Sequence, residues 1–370
     1  MKKNLIYFLV ACICLSFIGC SKKEEEKCKM NMYINIKDQY VLEILDNIIQ
    51  EYKEKNPNCE VNIVANLNNK ISENEQNVDI NITEREEFIM KAKTGNLMNL
   101  ENYYEKEKIY NNYANLTSSY GRYHDINYGI AILPKEMKLL YNKELNDNIL
   151  SKEDITSITK KLNSQGAKIP IFLGKEDDPN NIMLSIVAYN IVNLDNIERL
   201  YDNKEGYLKE IYMEKIFSNL DLLYKQGVIS KDLFYLGNSN DLNSFNAGDI
   251  PILITDNRID YNEAKISLLN SNIFFSNSVI SVPIKAENKN EVDKFIEYLY
   301  SDELLKKLAN ENILTGNNNF DRIKVTSDNW YLLDAIPSRF DIELSKTVDN
   351  ILEGKYNGSE WQSLIENVYK

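Results

Sequence analysis

Apolar positions along this chain recur with two spacings, every second residue and every third or fourth, and their alternation predicts a strand–helix–strand path. Residues 31–36 and 60–65 read as strands, the second through the alternating Val61 and Ile63. Between them Val41, Leu42, Leu45, Ile48, Ile49 and Tyr52 share one helical face, and Pro57 ends the run. A third strand is expected at 78–82 and a helix at 88–93, with Gly95 as its left-handed cap. Strands joined by crossover helices make a parallel sheet, so this region is α/β.

The pattern then pauses. Residues 128–145 are apolar and afterwards tyrosine-rich, with Pro134 expected to interrupt them. Ser151 and Asp154 form a capping-box-like start for a helix that turns Ile155, Ile158 and Leu162 inward and ends at Gly166, before a strand at 169–173. Within 183–227 the stripe Leu208, Ile211, Tyr212, Ile216 and Leu220 predicts helix. Strands follow at 251–255 and 279–283, then a helix carrying Val292, Phe295, Ile296 and Leu299. A last helix, capped by Ser359 with Gln362, should bury Trp361, Leu364, Ile365 and Val368. A second α/β lobe is therefore expected, and no internal repeat is evident.

The first residues do not belong to this fold. Lys2 and Lys3 precede an apolar run over 5–18, then Gly19 and Cys20, which is the order of an export signal. The run is too short to span a bilayer. Phe17-Ile18-Gly19-Cys20 resembles the bacterial lipobox, with Phe17 where leucine is more usual, and the charged run 21–27 reads as a solvated tether. We expect cleavage after residue 19 and acylation of Cys20, anchoring an exported protein to the outer face of a membrane of Gram-positive type. An ordinary secretion signal is the alternative.

About 350 residues remain, more than one core usually organises. The formal charge of −13 becomes more negative once Lys2 and Lys3 leave, which argues against a nucleic-acid partner. Of five cysteines, Cys28 and Cys59 alone stay in the folded part. Each precedes a predicted strand; if those strands are parallel neighbours, a disulfide is within reach.

Several stretches, taken in order, resemble the extracellular solute-binding proteins of ABC importers, family 1, the sugar-binding type. Val78-Asp79-Ile80 followed by Ala92-Lys93-Thr94-Gly95-Asn96-Leu97 and Leu100 is similar to that family's aspartate-bearing strand, helix and turn. Leu139-Leu140-Tyr141-Asn142-Lys143 is similar to its Tyr-Asn-Lys signature, and Ser244-Phe245-Asn246-Ala247-Gly248-Asp249 to its Phe-x-x-Gly-Lys element with Asp249 replacing lysine. Ile280-Ser281-Val282, residues 295–301 and Asp302-Glu303 resemble the later strand and paired helices. The resemblance implies a two-lobe, type II periplasmic-binding-protein-like fold, each lobe a sheet flanked by helices with a hinge between. It implies an amino-terminal lobe over 30–132 with a return segment near 262–312, and a carboxy-terminal lobe over 133–258 with helices near 313–370, following a signal at 1–19 and a tether at 20–30. Chain crossings are expected near 131–135 and 256–261.

Carried onto this chain, the resemblance places ligand contacts at Glu86, Glu87, Lys135, Asp178, Asn180, Arg258, Tyr261 and Phe340. The family's aromatic platforms, on which sugar faces stack, fall on Thr83, Asn180 and Arg258, and its glycine-rich ligand loop is shortened to 272–277. Taken singly, each of these charges also reads as a solvated rim residue, and Tyr141, Asn142 and Lys143 as hinge packing.

Other chemistry finds little support. His124 is the lone histidine, without a G-x-S-x-G element, so no catalytic residue is assigned. Asp177, Asp178, Asn180 and Asn181 miss the spacing of a calcium loop, and no metal or cofactor is expected. The expected function is capture of a small polar solute, with carbohydrates first in line, for delivery to an ABC permease. The alternative is a surface lipoprotein of the same fold serving as a sensor or interaction partner without transport.

Overall fold

The computed structural model describes residues 28–65, 77–113, 120–142, 155–172, 178–188, 200–255, 266–321 and 332–370. The signal, Cys20 and the tether up to residue 27, the helix start at Ser151 and Asp154, and Arg258 and Tyr261 lie outside them. No helix among the described residues is long and apolar enough to cross a membrane.

The amino-terminal half opens with β1 (Cys28–Asn35), α1 (Gln39–Lys55) and β2 (Cys59–Ala65), with β1 and β2 parallel. Asp38 begins α1 by accepting hydrogen bonds from the amides of Tyr40 at 2.9 Å and Val41 at 3.3 Å, the donors a first turn leaves unpaired. Val41, Ile44, Leu45, Ile48, Ile49 and Tyr52 form its buried face, with Ile44 in the place expected for Leu42, which is only half-buried. Next come β3 (Ile80–Thr83), α2 (Arg85–Lys93) and the short helices α3 (Glu101–Lys106) and α4 (Ile109–Asn112). Gly95 follows α2 at φ 70°, the left-handed conformation expected of it. A small hairpin, β4 (Arg122–Tyr123) with β5 (Ile126–Asn127), presents the exposed His124 at its tip.

β6 (Gly129–Asn142) then runs out of this half. Pro134 does not end it, contrary to the sequence reading. The strand absorbs the proline by placing Leu133 at φ 50°, a conformation costly for a bulky residue, so the chain bends and continues. The carboxy-terminal half contains α5 (Ile155–Ser164), β7 (Ile169–Phe172), α6 (Pro179–Ala188), α7 (Lys204–Lys209), α8 (Tyr212–Lys225), β8 (Phe234–Leu236), α9 (Ser239–Ala247) and β9 (Ile252–Thr255). The stripe read through Leu208 and Ile211 is corrected: the chain leaves helix between α7 and α8, Leu208 and Ile211 are exposed, and Met213, Ile216, Phe217 and Leu220 take the buried face.

β10 (Ile266–Ser281) returns antiparallel to β6 and is followed by α10 (Lys289–Leu299) and α11 (Asp302–Asn310). Two 3-10 turns, Leu332–Ala335 and Ser338–Phe340, lead to α12 (Asp341–Leu352) and α13 (Glu360–Val368). The predicted Ser359–Gln362 box does not form. Glu360 instead accepts from the amides of Asn357, Gly358 and Ser359 at 2.7, 2.9 and 3.0 Å, because its longer side chain reaches back over the preceding turn.

One eight-stranded sheet in the order β2-β1-β3-β10-β6-β9-β7-β8 joins the halves. A large apolar core lies on each side of its middle: Met30, Ile48, Tyr52, Phe295 and Leu304 belong to one, Ile169, Phe217, Leu344 and Trp361 to the other. Residues 266–269 pair with 139–142 in the carboxy-terminal half, and only 279–281 pair with β3. The supposed short loop at 272–277 is the centre of β10.

Asp79 ties the amino-terminal half together. Buried at 1% exposure, its carboxylate accepts from the amides of Asn31 at 2.9 Å, Glu287 at 3.0 Å and Asn288 at 2.9 Å, and from Asn288 Nδ2 at 3.1 Å. The aspartate of the family-like strand is therefore a structural acceptor joining β1 to the entry of α10.

Candidate functional site

The strand registers fix where a site can lie. β1 and β3 are parallel and end at Asn35 and Thr83, and Thr83 stands level with Val279, which faces Ala131 on β6. On the other side β7 and β9 are parallel, and the end of β9 at Thr255 stands level with Lys138. The carboxyl ends of parallel strands from both halves thus converge on the middle of β6, the usual position of ligand crevices in α/β sheets.

The chain fills this seam with polar groups from distant segments. Arg85, first residue of α2 and 2% exposed, places its guanidinium 4.6 Å from the centre of the Tyr120 ring. Tyr120 and Asp334, the latter in the first 3-10 turn, are neighbours here, and Tyr201 adds its hydroxyl to the same group of charges. Tyr201 packs with Phe88, Ile89, Ala92 and Val279, so it carries the carboxy-terminal half onto the amino-terminal one. Three buried atoms here or at the adjoining end of β3, Thr83 Oγ1, Tyr201 Oη and Asp334 Oδ2, make no hydrogen bond among the described residues. Such atoms are costly unless something satisfies them.

Burial dominates the electrostatics. It pushes the Asp334 carboxyl up to about 7, against the pull of the Tyr120 hydroxyl and Arg85, with Glu84 adding to the rise. It raises both tyrosine hydroxyls well above their ordinary range and draws Arg85 downward, although an arginine stays cationic. Lys135 pairs with Asp38 where β6 crosses the sheet, close enough to Asp334 to lower its pKa slightly.

Contacts across the seam hold the halves against each other. Glu86 accepts from the Ser338 amide at 3.2 Å. Asp202 pairs with Lys93 of α2 at 3.2 Å, with Arg339, and accepts from the Tyr369 hydroxyl at 3.0 Å. Burial alone would raise the Asp202 carboxylate, but Arg339, Tyr369 and Lys93 outweigh it and hold the group below its ordinary pKa. Asp202→Asn, which suits the positive φ at this position, should weaken the latch by roughly 1 kcal/mol. The readout is small-angle scattering, where the variant should give a larger radius of gyration than the parent at low salt; equal radii would show that the latch does not hold the halves.

Of the residues assigned from sequence, Glu86 and Lys135 lie at this seam. Glu87 is beside it, accepting from Asn35 Nδ2 at 2.6 Å and pairing with Lys91 at 3.4 Å. Asp178 and Asn180 join two helices: Asp178 accepts from the Asn180 amide and the Ser345 hydroxyl, each at 2.8 Å, and Asn180 Nδ2 donates to Ser345 Oγ at 3.2 Å. Phe340 is corrected outright. It is fully buried, stacked on Trp361 with ring centres 5.8 Å apart and edge-on to Tyr207, so it is core and not a platform. Asn142 is packing too, buried beneath the turn at Gly248. Sequence reasoning missed Arg85, Tyr120, Tyr201 and Asp334. Arg85, one of six arginines in a lysine-rich chain and directly after the strand end, carried the one local signal.

No protein-family profile matches this chain, and no curated protein sequence matches it. Solved structures do. A family 1 extracellular solute-binding protein from Bifidobacterium longum subsp. infantis superposes with a TM-score of 0.65 at 13% identity, over 93% of this chain and 99% of that one. A probable secreted solute-binding lipoprotein from Streptomyces coelicolor gives 0.67 at 11% identity, over 94% and 99%. An ABC transporter solute-binding protein from Thermotoga lettingae, bound with α-D-tagatose, gives 0.60 at 15% identity, over 92% and 98%. The chain therefore has the fold of the extracellular solute-binding proteins of ABC transporters.

Proposed function

We propose that this protein is exported, held by a lipid on Cys20 at the outer membrane face, and captures a small polar solute between its two lobes for delivery to an ABC permease. The observation that carries this reading is the seam itself: Thr83, at the end of β3, and Tyr201 and Asp334 from the other half each hold a buried oxygen without a hydrogen bond among the described residues. Arg85 and Tyr120 flank them with a cation and a ring. Hydroxyl groups of a sugar would satisfy such oxygens without a charge of their own, and the tagatose complex of the Thermotoga lettingae relative supports a carbohydrate as the first candidate. Lobe closure over the solute supplies the signal a permease reads, and no bond is made or broken.

Melting curves of the purified protein against monosaccharides, oligosaccharides, amino acids and short peptides test this. A solute at a hundred times its Kd should stabilise the protein by about 2.7 kcal/mol through mass action. Tyr201→Phe removes a hydroxyl with no partner among the described residues, so the solute-free protein should melt at the same temperature or slightly higher, while affinity for the solute should fall roughly tenfold. No shift with any solute would favour the surface sensor or interaction role.

A further inference from the structure

Away from the seam, two thiols and a carboxylate converge at the start of the folded chain. Cys28 and Cys59 are direct partners in the parallel ladder of β1 and β2, so their Cα atoms are about 5 Å apart, inside the range a disulfide requires. Both are free thiols in this structure, which does not contain the bridge considered from sequence. Glu291, in the first turn of α10, brings its carboxylate to both; the two sulfurs and a carboxylate oxygen all lie within 4.8 Å of one another. The carboxylate lies beside both sulfurs and pairs with Lys294 at 2.7 Å. The Tyr52 side chain is the other titratable neighbour.

We propose that Cys28 and Cys59 are a redox-poised pair: they close reversibly into a disulfide, and Glu291 stabilises the reduced form. Cys28 is the partly exposed thiol and donates to the Asn58 carbonyl at 3.4 Å, whereas Cys59 is buried. The order of reaction follows. The Cys28 thiolate attacks a small disulfide such as oxidised glutathione, and one sulfur of that disulfide leaves as a thiol. The Cys59 thiolate then attacks the mixed disulfide at Cys28 and expels the second thiol. Two protons leave the protein, and its two electrons reduce the S–S bond of the oxidant. Burial first, then Cys28 and Glu291, push the Cys59 thiol up to about 12, which slows the second step. Once the bridge forms, the sulfurs beside Glu291 carry no S–H, so reduction restores donors next to its charge. A disulfide that costs its neighbour such contacts is more easily reduced than an ordinary structural one.

The exported protein, purified with its lipid, can be equilibrated in glutathione buffers of rising oxidised fraction, then denatured, tagged with a maleimide and weighed. Loss of both tags together across the series supports the pair, and Glu291→Gln should move the midpoint roughly tenfold toward more reducing buffer. An unmoved midpoint would remove Glu291 from the proposal. Two tags at every ratio would overturn the pair, and so would thiols protected only while zinc is present and exposed by a chelator, which would make the trio a metal site. Cys59→Ser, which keeps a polar side chain, should leave Cys28 unable to form an internal bridge.

Discussion

Replacing Asp79 with alanine should cost about 3 kcal/mol of stability, because three backbone amides and one side-chain amide lose their common acceptor inside the protein. Asp79 itself is 1% exposed, so water replaces its carboxylate only in part. In a chain of this size that loss lowers the melting temperature by about 4 °C. Asp79→Asn keeps the shape but turns an amide donor toward at least one of those donors, and should fall between alanine and the parent. Thermal unfolding of the three proteins at one pH decides it; an alanine variant melting with the parent would mean that the knot between β1 and α10 carries little of the stability.

Asp334→Asn should do the opposite, and only at neutral to alkaline pH. The Asp334 carboxyl titrates near 7 in the folded protein against an ordinary value of 3.8, so the folded state holds its proton more tightly than the unfolded one. Its favourable contribution is complete below about pH 4 and disappears as the pH rises through 7. Three pKa units would correspond to about 4 kcal/mol; allowing for relaxation of the seam, on the order of 2 kcal/mol remains. The asparagine variant therefore melts with the parent near pH 4 and above it at pH 8. Curves offset equally at both pH values would place the carboxyl in a more solvated setting than the seam provides. Because Asp334 belongs to one half and Arg85 to the other, the parent should also part its halves more readily as the pH rises.

Much of this architecture could be read from the chain. The faces of α1 and α10, the strands around Val61, Ile171 and Leu253, and the glycine caps at 95 and 166 follow from local periodicity and local backbone preference. The parallel pairing of the strands after Cys28 and Cys59 also followed from the single helix between them. The two long strands did not. Pro134 and the supposed loop at 272–277 look like interruptions until β6 and β10 are laid side by side, since each supplies the other's hydrogen-bonding partner. The site was least legible for a related reason. Residues 85, 120, 201 and 334 share no local pattern, and only the folded chain brings them together. Phe340 shows the converse error: the family resemblance places a ligand contact there, but packing against Tyr207 and Trp361 decides its place.

The bend at Leu133 bears on how such a protein can move. β6 holds one left-handed residue there, just before a proline that cannot donate to the ladder, and β10 carries a bulge between Leu269 and Ile273, a few residues farther along the same pair. Both compliant points sit within paired strands, so the sheet acts as a creased plate and not as two bodies on loose strings. Rotation about the crease is the soft coordinate, and sliding or twisting would have to tear the flanking ladders. On the proposed function, opening about the crease is the step that would admit and release solute.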